Sequence, residues 1–343
     1  MKESTKKFLK KHLGWTIVSG LLLIVAFFML TINLIPPKKN VENNPFIVKN
    51  GELPMIAAHR GGGENNPENT MMAFRKAVTE YDVDIIESDL WLTKGENGQP
   101  GALVYNHDSK IDRTCDVKEQ GDTEYRISEL TLKQLEEYNF GYNFKTTDKN
   151  GQEVYPYRNY THDEVVAAGL QIATVEKLFE EFYQSNPDLL FIVEIKNSGE
   201  KGKEACKILW DTLQRYPEYL DNIVVGTFHD EIETELKTKY PDLMRGAPTG
   251  TAAEFILTQF LGVNLFNQSD FACLQIPTSY DLGITLYLDK KTIIDRAHQR
   301  NIAVQYWTIN EEWEMRELIE LGCDCIMTDN PELLRKVLAS YEK

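Results

Sequence analysis

Four short stretches of this 343-residue chain place charged or titratable side chains at the end of an apolar run. The first is His59-Arg60, which follows Met55–Ala58 and precedes three glycines. A histidine exchanges a proton near neutral pH, and an arginine presents a fork suited to phosphate. The glycines permit unusual backbone dihedrals and the close approach of a ligand. Alone, this pattern more often marks a surface corner, so its meaning depends on the other three stretches.

The second stretch places two carboxylates on one strand. Glu87 and Asp89 lie two residues apart within Ile85–Leu90, so both point to the same face of a strand. Like charges this close need either protonation or a cation between them. Carboxylate oxygens suit a hard cation, Mg²⁺ or Ca²⁺. A solvated edge strand is the alternative, which the flanking isoleucines disfavour.

The third and fourth stretches add a second histidine and a mixed pair of charges. His107 follows Leu103–Tyr105, where a capped loop is the alternative interpretation. Glu194 and Lys196 follow Leu190–Val193 and share one face of a strand. They either neutralise each other as a structural pair, or Glu194 completes a metal site while Lys196 binds an anion. Four such strand ends along one chain favour a site over four unrelated corners.

The elements that carry these residues alternate between strand and helix. Thr70–Tyr81 places apolar residues on one helical face, with Asn69 or Thr70 as the cap. Alternating strands and helices predict parallel pairing, and here an irregular TIM (β/α)8 barrel. Nine candidate strands suit an eight-stranded barrel with one extra strand, whose identity stays open. Residues 93–101 are too short for a helical crossover, so a helix is missing there and the barrel should be irregular. The strand ends of a parallel barrel meet at one mouth, where polar residues indicate catalysis. The nine predicted strands are Met55–Ala58, Asp84–Leu90, Leu103–Tyr105, Leu189–Ile195, Ile223–Thr227, Leu243–Gly246, Ala272–Ile276, Ala303–Trp307 and Asp324–Thr328.

The N-terminus is basic and then apolar. Residues 1–14 are rich in lysine, and residues 15–35 contain no charged side chain. This length predicts one transmembrane helix, with Trp15 at the interface; a cleaved signal peptide is the alternative. The larger positive flank predicts a cytoplasmic N-terminus and an extracellular C-terminal domain at the cell membrane. Residues 36–50 are predicted to be a linker.

Residues 51–343 are predicted to form the barrel, with an insertion over residues 108–170 after the third strand. The aromatic residues of the insertion form its own small core or shield a substrate. The apolar run over residues 255–266 is either a barrel helix or a membrane-contacting segment. This aromatic concentration comprises Tyr138, Phe140, Tyr142, Phe144, Tyr155, Tyr157 and Tyr160.

Charge and cysteine content exclude several classes of protein. The net charge of −16 argues against a nucleic-acid partner, which requires a basic footprint. An anionic substrate of such an acidic protein needs a local cation, which makes a metal ion plausible. The five cysteines are odd in number and have neither a disulfide-framework spacing nor a zinc-site spacing.

The four stretches and their surroundings resemble the glycerophosphodiester phosphodiesterase family, within the phosphatidylinositol-phospholipase-C-like barrel group. Three departures from the family pattern lie at Thr93-Lys94-Gly95, Ala173 and Thr227-Phe228, outside the candidate residues. The matching motifs span residues 55–335 in family order. They are His59-Arg60-Gly61, Pro67-Glu68-Asn69-Thr70, Glu87-x-Asp89, His107-Asp108, Asp112-Arg113-Thr114, Glu194-Ile195-Lys196, Trp307-Thr308-Ile309-Asn310 and Thr328-Asp329-Asn330-Pro331.

The resemblance implies a role for each candidate residue. One divalent cation, Ca²⁺ or Mg²⁺, would be held by Glu87, Asp89 and Glu194. The general acid and base would be His59 and His107. Phosphate or substrate contacts would come from Arg60, Lys196 and Trp307.

The implied activity is metal-dependent hydrolysis of a glycerophosphodiester to an alcohol and glycerol 3-phosphate. The nucleophile is either the neighbouring hydroxyl of the substrate, through a cyclic phosphate, or water. The substrate is a small or lipid-derived phosphodiester, and the membrane is contacted through the N-terminal helix. Two related alternatives are a lysophospholipase D and a phosphodiesterase of teichoic-acid type. A different class is a non-catalytic barrel that binds a lipid or a protein partner.

Overall fold

A barrel of eight parallel strands forms the body of the protein. The computed structural model describes residues 3–34, 38–49, 51–123, 125–261, 263, 267, 269–281 and 283–342. Its strands, in chain order, are Met55–His59 (β1), Ile85–Leu92 (β2), Leu103–Tyr105 (β3), Thr146–Thr147 (β4), Glu153–Val154 (β5), Leu190–Ile195 (β6), Ile223–Gly226 (β7), Met244–Arg245 (β8), Cys273–Ile276 (β9), Ser279–Asp281 (β10), Thr285–Tyr287 (β11), Ala303–Tyr306 (β12) and Cys325–Thr328 (β13).

Helices surround the barrel, as expected where amphipathic segments alternate with buried strands. In α2, for example, the side chain of Thr70 accepts a hydrogen bond from the Ala73 amide, which confirms the predicted cap. The helices are Glu3–Leu34 (α1), Met71–Thr79 (α2), Leu132–Leu135 (α3), His162–Ala168 (α4), Val175–Phe182 (α5), Gly199–Leu213 (α6), Pro217–Leu220 (α7), Asp230–Lys239 (α8), Thr249–Phe260 (α9), Lys291–His298 (α10), Glu312–Leu321 (α11) and Pro331–Ala339 (α12), with a 3₁₀ turn at Ile127–Glu129.

The barrel strands lie in the order β8-β7-β6-β2-β1-β13-β12-β9. The ring nearly closes between β8 and β9, where the Ala272 amide donates to the Arg245 carbonyl (2.8 Å) and the Ala247 amide donates to the Cys273 carbonyl (2.9 Å). All nine predicted strands are present, and the strand in excess is β3. It pairs with β2 in antiparallel orientation, so the connection between them needs no helix.

Residues 36–50 were predicted to be a linker. The described part of this segment, residues 38–49, covers the end of the barrel opposite the mouth. Phe46 is fully buried against the inner faces of the barrel strands. The Asn44 side chain donates to the Ala272 carbonyl (2.8 Å), and the Val48 amide donates to Asp324 Oδ1 (3.1 Å). Residues 38–49 therefore close the end of the barrel opposite the mouth rather than acting as a free spacer. Residues 35–37 and 50 lie outside the described residues.

The predicted transmembrane helix over residues 15–35 is not supported. The region is helical as part of α1, and its described apolar side chains, such as Trp15 and Leu23, are exposed. A search of the described residues finds no helix that is both long enough and apolar enough to cross a membrane. Ile35, the last residue of the predicted span, lies outside the described part of the chain.

The insertion over residues 108–170 has its own small core, as one of the two interpretations predicted. Tyr138 and Phe140 are buried there, whereas Tyr157 packs its ring against Phe144 and Tyr160.

All five cysteines are buried and free of disulfide bonds.

The apolar run over residues 255–266 forms part of barrel helix α9 in its described portion. Phe255 and Ile256 pack into the core, while Leu257, Phe260 and Leu261 are exposed. Residues 262 and 264–266 lie outside the described residues.

Candidate active site

Strand register brings the predicted carboxylates and His59 to one edge of the barrel. His59 at the end of β1 is the register partner of Glu87 in β2. Two residues further along β2, Asp89 is the register partner of Glu194 in β6. Neighbouring strands lie about 4.8 Å apart, so these side chains are neighbours although the sequence separates them by up to 135 positions. The barrel mouth therefore gathers three of the four predicted strand ends directly.

Lys196 lies between two of the carboxylates. Its ammonium nitrogen is 3.0 Å from Asp89 Oδ1 and 3.0 Å from Glu194 Oε2. Arg60 approaches the second oxygen of Asp89, with Nε 3.9 Å from Oδ2. Among the described residues, no group of three or more histidine, cysteine, aspartate or glutamate side chains is arranged to hold a metal ion. The ready-made cation site predicted from Glu87, Asp89 and Glu194 is thus not confirmed, because Lys196 supplies the positive charge between the carboxylates.

The chemistry of these carboxylates nevertheless fits a hard cation. Burial raises the pKa of Glu87 to about 7, with Asp89 adding to the effect and His59 opposing it. Burial also raises the pKa of Glu194, which Lys196 partly offsets. Asp89 Oδ2 is buried without a hydrogen-bond partner in the described structure. A buried acceptor without a partner is costly, and a cation with oxygen ligands would satisfy it.

His59 is held by an aspartate that the sequence analysis did not assign. The ring nitrogen Nδ1 lies 2.6 Å from Asp329 Oδ1, and Nε2 lies 3.9 Å from Glu87 Oε2. Asp329 Oδ2 accepts a hydrogen bond from the Asn310 side chain (2.9 Å), which fixes the carboxylate. Asp329 follows β13, which pairs with β1 on the side opposite β2. The sequence could have indicated this residue, because it is a polar residue at the end of the last barrel strand.

Burial acts to lower the pKa of His59, but Glu87 and Asp329 raise it above its ordinary value overall. Burial likewise acts to raise the pKa of Asp329, and the hydrogen bond with His59 brings it below its ordinary value. Both shifts favour an imidazolium facing a carboxylate. The ring is thereby oriented and kept protonated to higher pH, as a proton donor or acceptor near neutrality requires.

The glycines after Arg60 pack against the protein itself, which corrects the expectation that they give clearance to a ligand. Gly61 and Gly62 have φ of +80° and +88°. A Cβ at Gly61 would lie 2.9 Å from Ala73 Cβ, and one at Gly62 would lie 2.8 Å from a Pro331 ring carbon. Arg60 itself has φ of 54°, and its amide donates to Glu87 Oε2 (3.1 Å). The tight corner therefore aims Arg60 and its amide at the carboxylates.

The two remaining candidates lie on loops at the same end of the barrel. His107 follows β3, and its Nδ1 lies 2.9 Å from Asp108 Oδ1. Trp307 follows β12 and is 37% exposed, which agrees with a position lining the mouth. The sequence analysis missed Glu68 and Arg113, two charged residues that lie close to these groups; only their membership of family motifs pointed to them.

Replacing Asp329 by asparagine is expected to lower the pKa of His59. The amide keeps an oxygen for the Nδ1 proton but loses the charge that favours the imidazolium. NMR titration of the His59 ring in metal-free protein measures this directly. In the wild type, the raised pKa adds stability that is fully present below the unfolded value of about 6.5 and is lost as the pH rises through the folded value. Identical titration midpoints in the two proteins would contradict the assigned contact.

Comparison with curated proteins finds relatives over most of the chain. A glycerophosphodiester phosphodiesterase from Caldanaerobacter subterraneus subsp. tengcongensis is 24% identical over 280 residues, covering 82% of this chain and 96% of the relative. Lysophospholipase D GDPD1 from Mus musculus is 25% identical over 307 residues, covering 83% of this chain and 86% of the relative.

Comparison with solved structures supports the fold. The glycerophosphoryl diester phosphodiesterase domain of a Mycobacterium tuberculosis protein aligns with a TM-score of 0.66 at 19% identity, covering 83% of this chain and 99% of that domain. An Oleispira antarctica phosphodiesterase, solved in complex with the product sn-glycerol-3-phosphate, aligns with a TM-score of 0.58 at 18% identity, covering 85% of this chain and 98% of that one.

The sequence profile of the Glycerophosphoryl diester phosphodiesterase family matches residues 59–333, from the first candidate histidine into α12. This match contains the whole of the mouth described above. The chain therefore belongs to the glycerophosphoryl diester phosphodiesterase family of enzymes.

Proposed function

We propose that the protein hydrolyses glycerophosphodiesters to an alcohol and glycerol 3-phosphate, with catalysis by His59 and His107 and with one divalent cation. The observation that carries this proposal is the row of Glu87, Asp89 and Glu194 on neighbouring strands, beside His59. Family membership supplies the reaction class, and the geometry supports which residues perform it.

A Ca²⁺ or Mg²⁺ ion is part of the proposal. Members of this family generally depend on a divalent metal ion. The unpartnered oxygen of Asp89 and the raised pKa of Glu87 support binding by Glu87, Asp89 and Glu194. Such a cation supplies positive charge to the oxygens of the phosphodiester. It also keeps all three carboxylates ionised, which burial otherwise opposes.

The basic side chains stabilise the charge that develops on the phosphoryl oxygens. Arg60 presents a fork suited to two of these oxygens, and Lys196 adds a point charge. Both side chains are largely buried, where electrostatic stabilisation is stronger than in water. Trp307 is proposed to flank the substrate at the mouth.

The two histidines move the protons. One imidazole removes the proton of the attacking hydroxyl, and the other delivers a proton to the oxygen of the departing alcohol. His59 keeps Nε2 directed towards Glu87 while Asp329 holds Nδ1. If water attacks, the products form in one step. If the neighbouring hydroxyl of the glycerol attacks, the alcohol leaves a cyclic phosphate, and a water molecule then opens this ring to give glycerol 3-phosphate.

Release of glycerol 3-phosphate from glycerophosphocholine tests the proposal. Activity is expected in the presence of Ca²⁺ or Mg²⁺ and is expected to fall to background in EDTA. His59→Ala and His107→Ala are each expected to lower kcat by about 10²- to 10⁴-fold, because general acid–base catalysis contributes on that order. Circular dichroism checks that each variant is folded.

If either variant retains near wild-type turnover, the histidine that it lacks does not take part in catalysis. Absence of metal-dependent product release from glycerophosphocholine, from a lysophospholipid and from a teichoic-type polymer would favour a non-catalytic barrel that binds a lipid or a protein partner.

A lysophospholipid substrate is a second candidate, favoured by apolar side chains beside the mouth. The hairpin β10–β11 follows β9, and its Tyr280, Ile284 and Tyr287 are 53%, 83% and 57% exposed. Thr278 at its base donates to Glu314 Oε1 (2.7 Å), which connects it to α11, the helix that follows the Trp307 loop. Large apolar side chains of this kind suit an acyl chain. A curated mouse relative is named a lysophospholipase D.

Replacing both Ile284 and Tyr287 by serine tests this candidate. If the hairpin contacts an acyl chain, kcat/KM for lysophosphatidylcholine should fall by about tenfold or more, given roughly 1.5–3 kcal/mol for burying one such side chain. The kcat/KM for glycerophosphocholine should remain unchanged. Val166→Ser, at another exposed apolar residue, is the matched control. Equal effects on both substrates, or no effect, would reject acyl recognition by the hairpin.

The predicted location at the cell membrane, with the catalytic domain outside, stays a prediction from the charges that flank residues 15–35. The location itself is untested, and the transmembrane helix on which it depends is not supported by the described residues.

A further inference from the structure

An arginine of the insertion joins two carboxylates that lie on different loops of the mouth. Arg113 Nε donates to Asp108 Oδ2 (2.5 Å). Its two terminal nitrogens donate to the two oxygens of Glu68, each at 2.7 Å. All three nitrogens of the guanidinium are thus used, in the bidentate geometry that only arginine provides.

Asp108, which Arg113 holds in place, also contacts the second candidate histidine, His107. One of its oxygens accepts from Arg113, and the other lies 2.9 Å from Nδ1 of His107. A carboxylate held at both oxygens has one fixed plane, so the imidazole that it contacts has one favoured orientation. His107 lies on an exposed loop where its side chain is 36% exposed, and Asp108 is the next residue of the same loop. The backbone of this pair is held separately, since Trp91 Nε1 donates to the His107 carbonyl (3.4 Å) and the Asn106 side chain donates to the Asp108 carbonyl (2.6 Å). Arg113 is the side chain that fixes the Asp108 carboxylate.

Glu68 connects the same arginine to the first strand end. It lies in the loop between β1 and α2, and its Oε1 is 3.5 Å from Arg60. Burial acts to raise the pKa of Glu68, but Arg113 and Arg60 bring it below its ordinary value. Alternating charges therefore run from Arg60 through Glu68, Arg113 and Asp108 to His107.

We propose that Arg113 is a positioning residue, which holds His107 in its reactive orientation by fixing Asp108 against Glu68. This inference rests on the proposed role of His107 in the reaction. On this proposal, the start of the insertion contributes to the reaction, because Arg113 connects the loop that carries His107 to the loop that follows Arg60. Arg113 is 46% exposed, and ion pairs of partly exposed side chains contribute little to stability, so the expected effect of Arg113 is on the orientation of His107.

The substitution Arg113→Met removes the contact that fixes Asp108. Asp108 contacts the His107 ring through Oδ1, while Arg113 holds Oδ2. Without the guanidinium, Asp108 and Glu68 lose the cation that they share, and like charges repel each other. The Asp108 carboxylate is therefore expected to turn away from Glu68, and the imidazole is expected to lose its single favoured orientation.

Steady-state kinetics with glycerophosphocholine and NMR of the labelled His107 ring test the proposal on the full chain. Arg113→Met should lower kcat by about 10- to 100-fold, the scale of loss for a misplaced reacting group, with a smaller change in KM. It should also shift the ring resonances of His107, because the imidazole loses its single orientation. Arg113→Lys should recover only part of kcat, because a single ammonium keeps the charge but cannot make the three hydrogen bonds.

Lys118→Met is the matched control, because it removes a lysine of the same insertion that pairs with Asp112 at 2.6 Å. It should leave kcat and the ring resonances of His107 unchanged. Arg113→Met with kcat within about twofold of wild type would overturn the proposal. A fall in melting temperature with unchanged His107 resonances would overturn it equally. The resonances are recorded without substrate, so this failure is separable from failure of wild-type hydrolysis, which would reject the proposed function instead.

Discussion

Keeping three carboxylates side by side at the buried edge of a barrel requires compensating positive charge, and most of the mouth follows from this constraint. Glu87, Asp89 and Glu194 are brought together by strand register alone. Burial of like charges raises their pKa values unless a cation lies close to them. In this structure Lys196 lies between two of them and Arg60 approaches from the side. Under the proposed function, the same two basic side chains would contact an anionic phosphodiester on a protein whose net charge is −16.

The two histidines that are proposed to transfer protons are each oriented by a carboxylate. Each imidazole has one ring nitrogen beside a carboxylate, Asp329 for His59 and Asp108 for His107. The first carboxylate is fixed from within the barrel, by Asn310. The second is fixed from the insertion, by Arg113. Orientation through a hydrogen-bonded neighbour costs less at the moment of reaction than orientation of a free side chain.

Much of this arrangement follows from the sequence, because strand ends of a parallel barrel converge whatever lies between them. The alternation of strands and helices predicted the barrel, and polar residues after apolar runs located His59, Glu87, Asp89 and Glu194. The excess strand was predicted, but its identity as antiparallel β3 depends on pairing that a single sequence does not display.

Other features could not be predicted from the sequence because they depend on contacts between residues that are distant along the chain. The position of Lys196 between carboxylates, the contact of Asp329 with His59 and the docking of Phe46 under the barrel join residues that are distant along the chain. The glycines after Arg60 suggested clearance for a ligand, whereas their neighbours are α2 and Pro331. Composition cannot distinguish a close approach to a ligand from a close approach to the protein.

Cation binding to the carboxylate cluster is the most direct test of this account. We expect the melting temperature of the metal-free protein to rise on addition of Ca²⁺ or Mg²⁺, by about 5 °C when the cation is near 100 times its dissociation constant. Asp89→Asn should abolish most of this rise, while Glu181→Gln, which removes a carboxylate paired with Arg75 away from the mouth, should preserve it. An equal rise in all three proteins, or none in the wild type, would contradict the assignment of Glu87, Asp89 and Glu194 as the cation site.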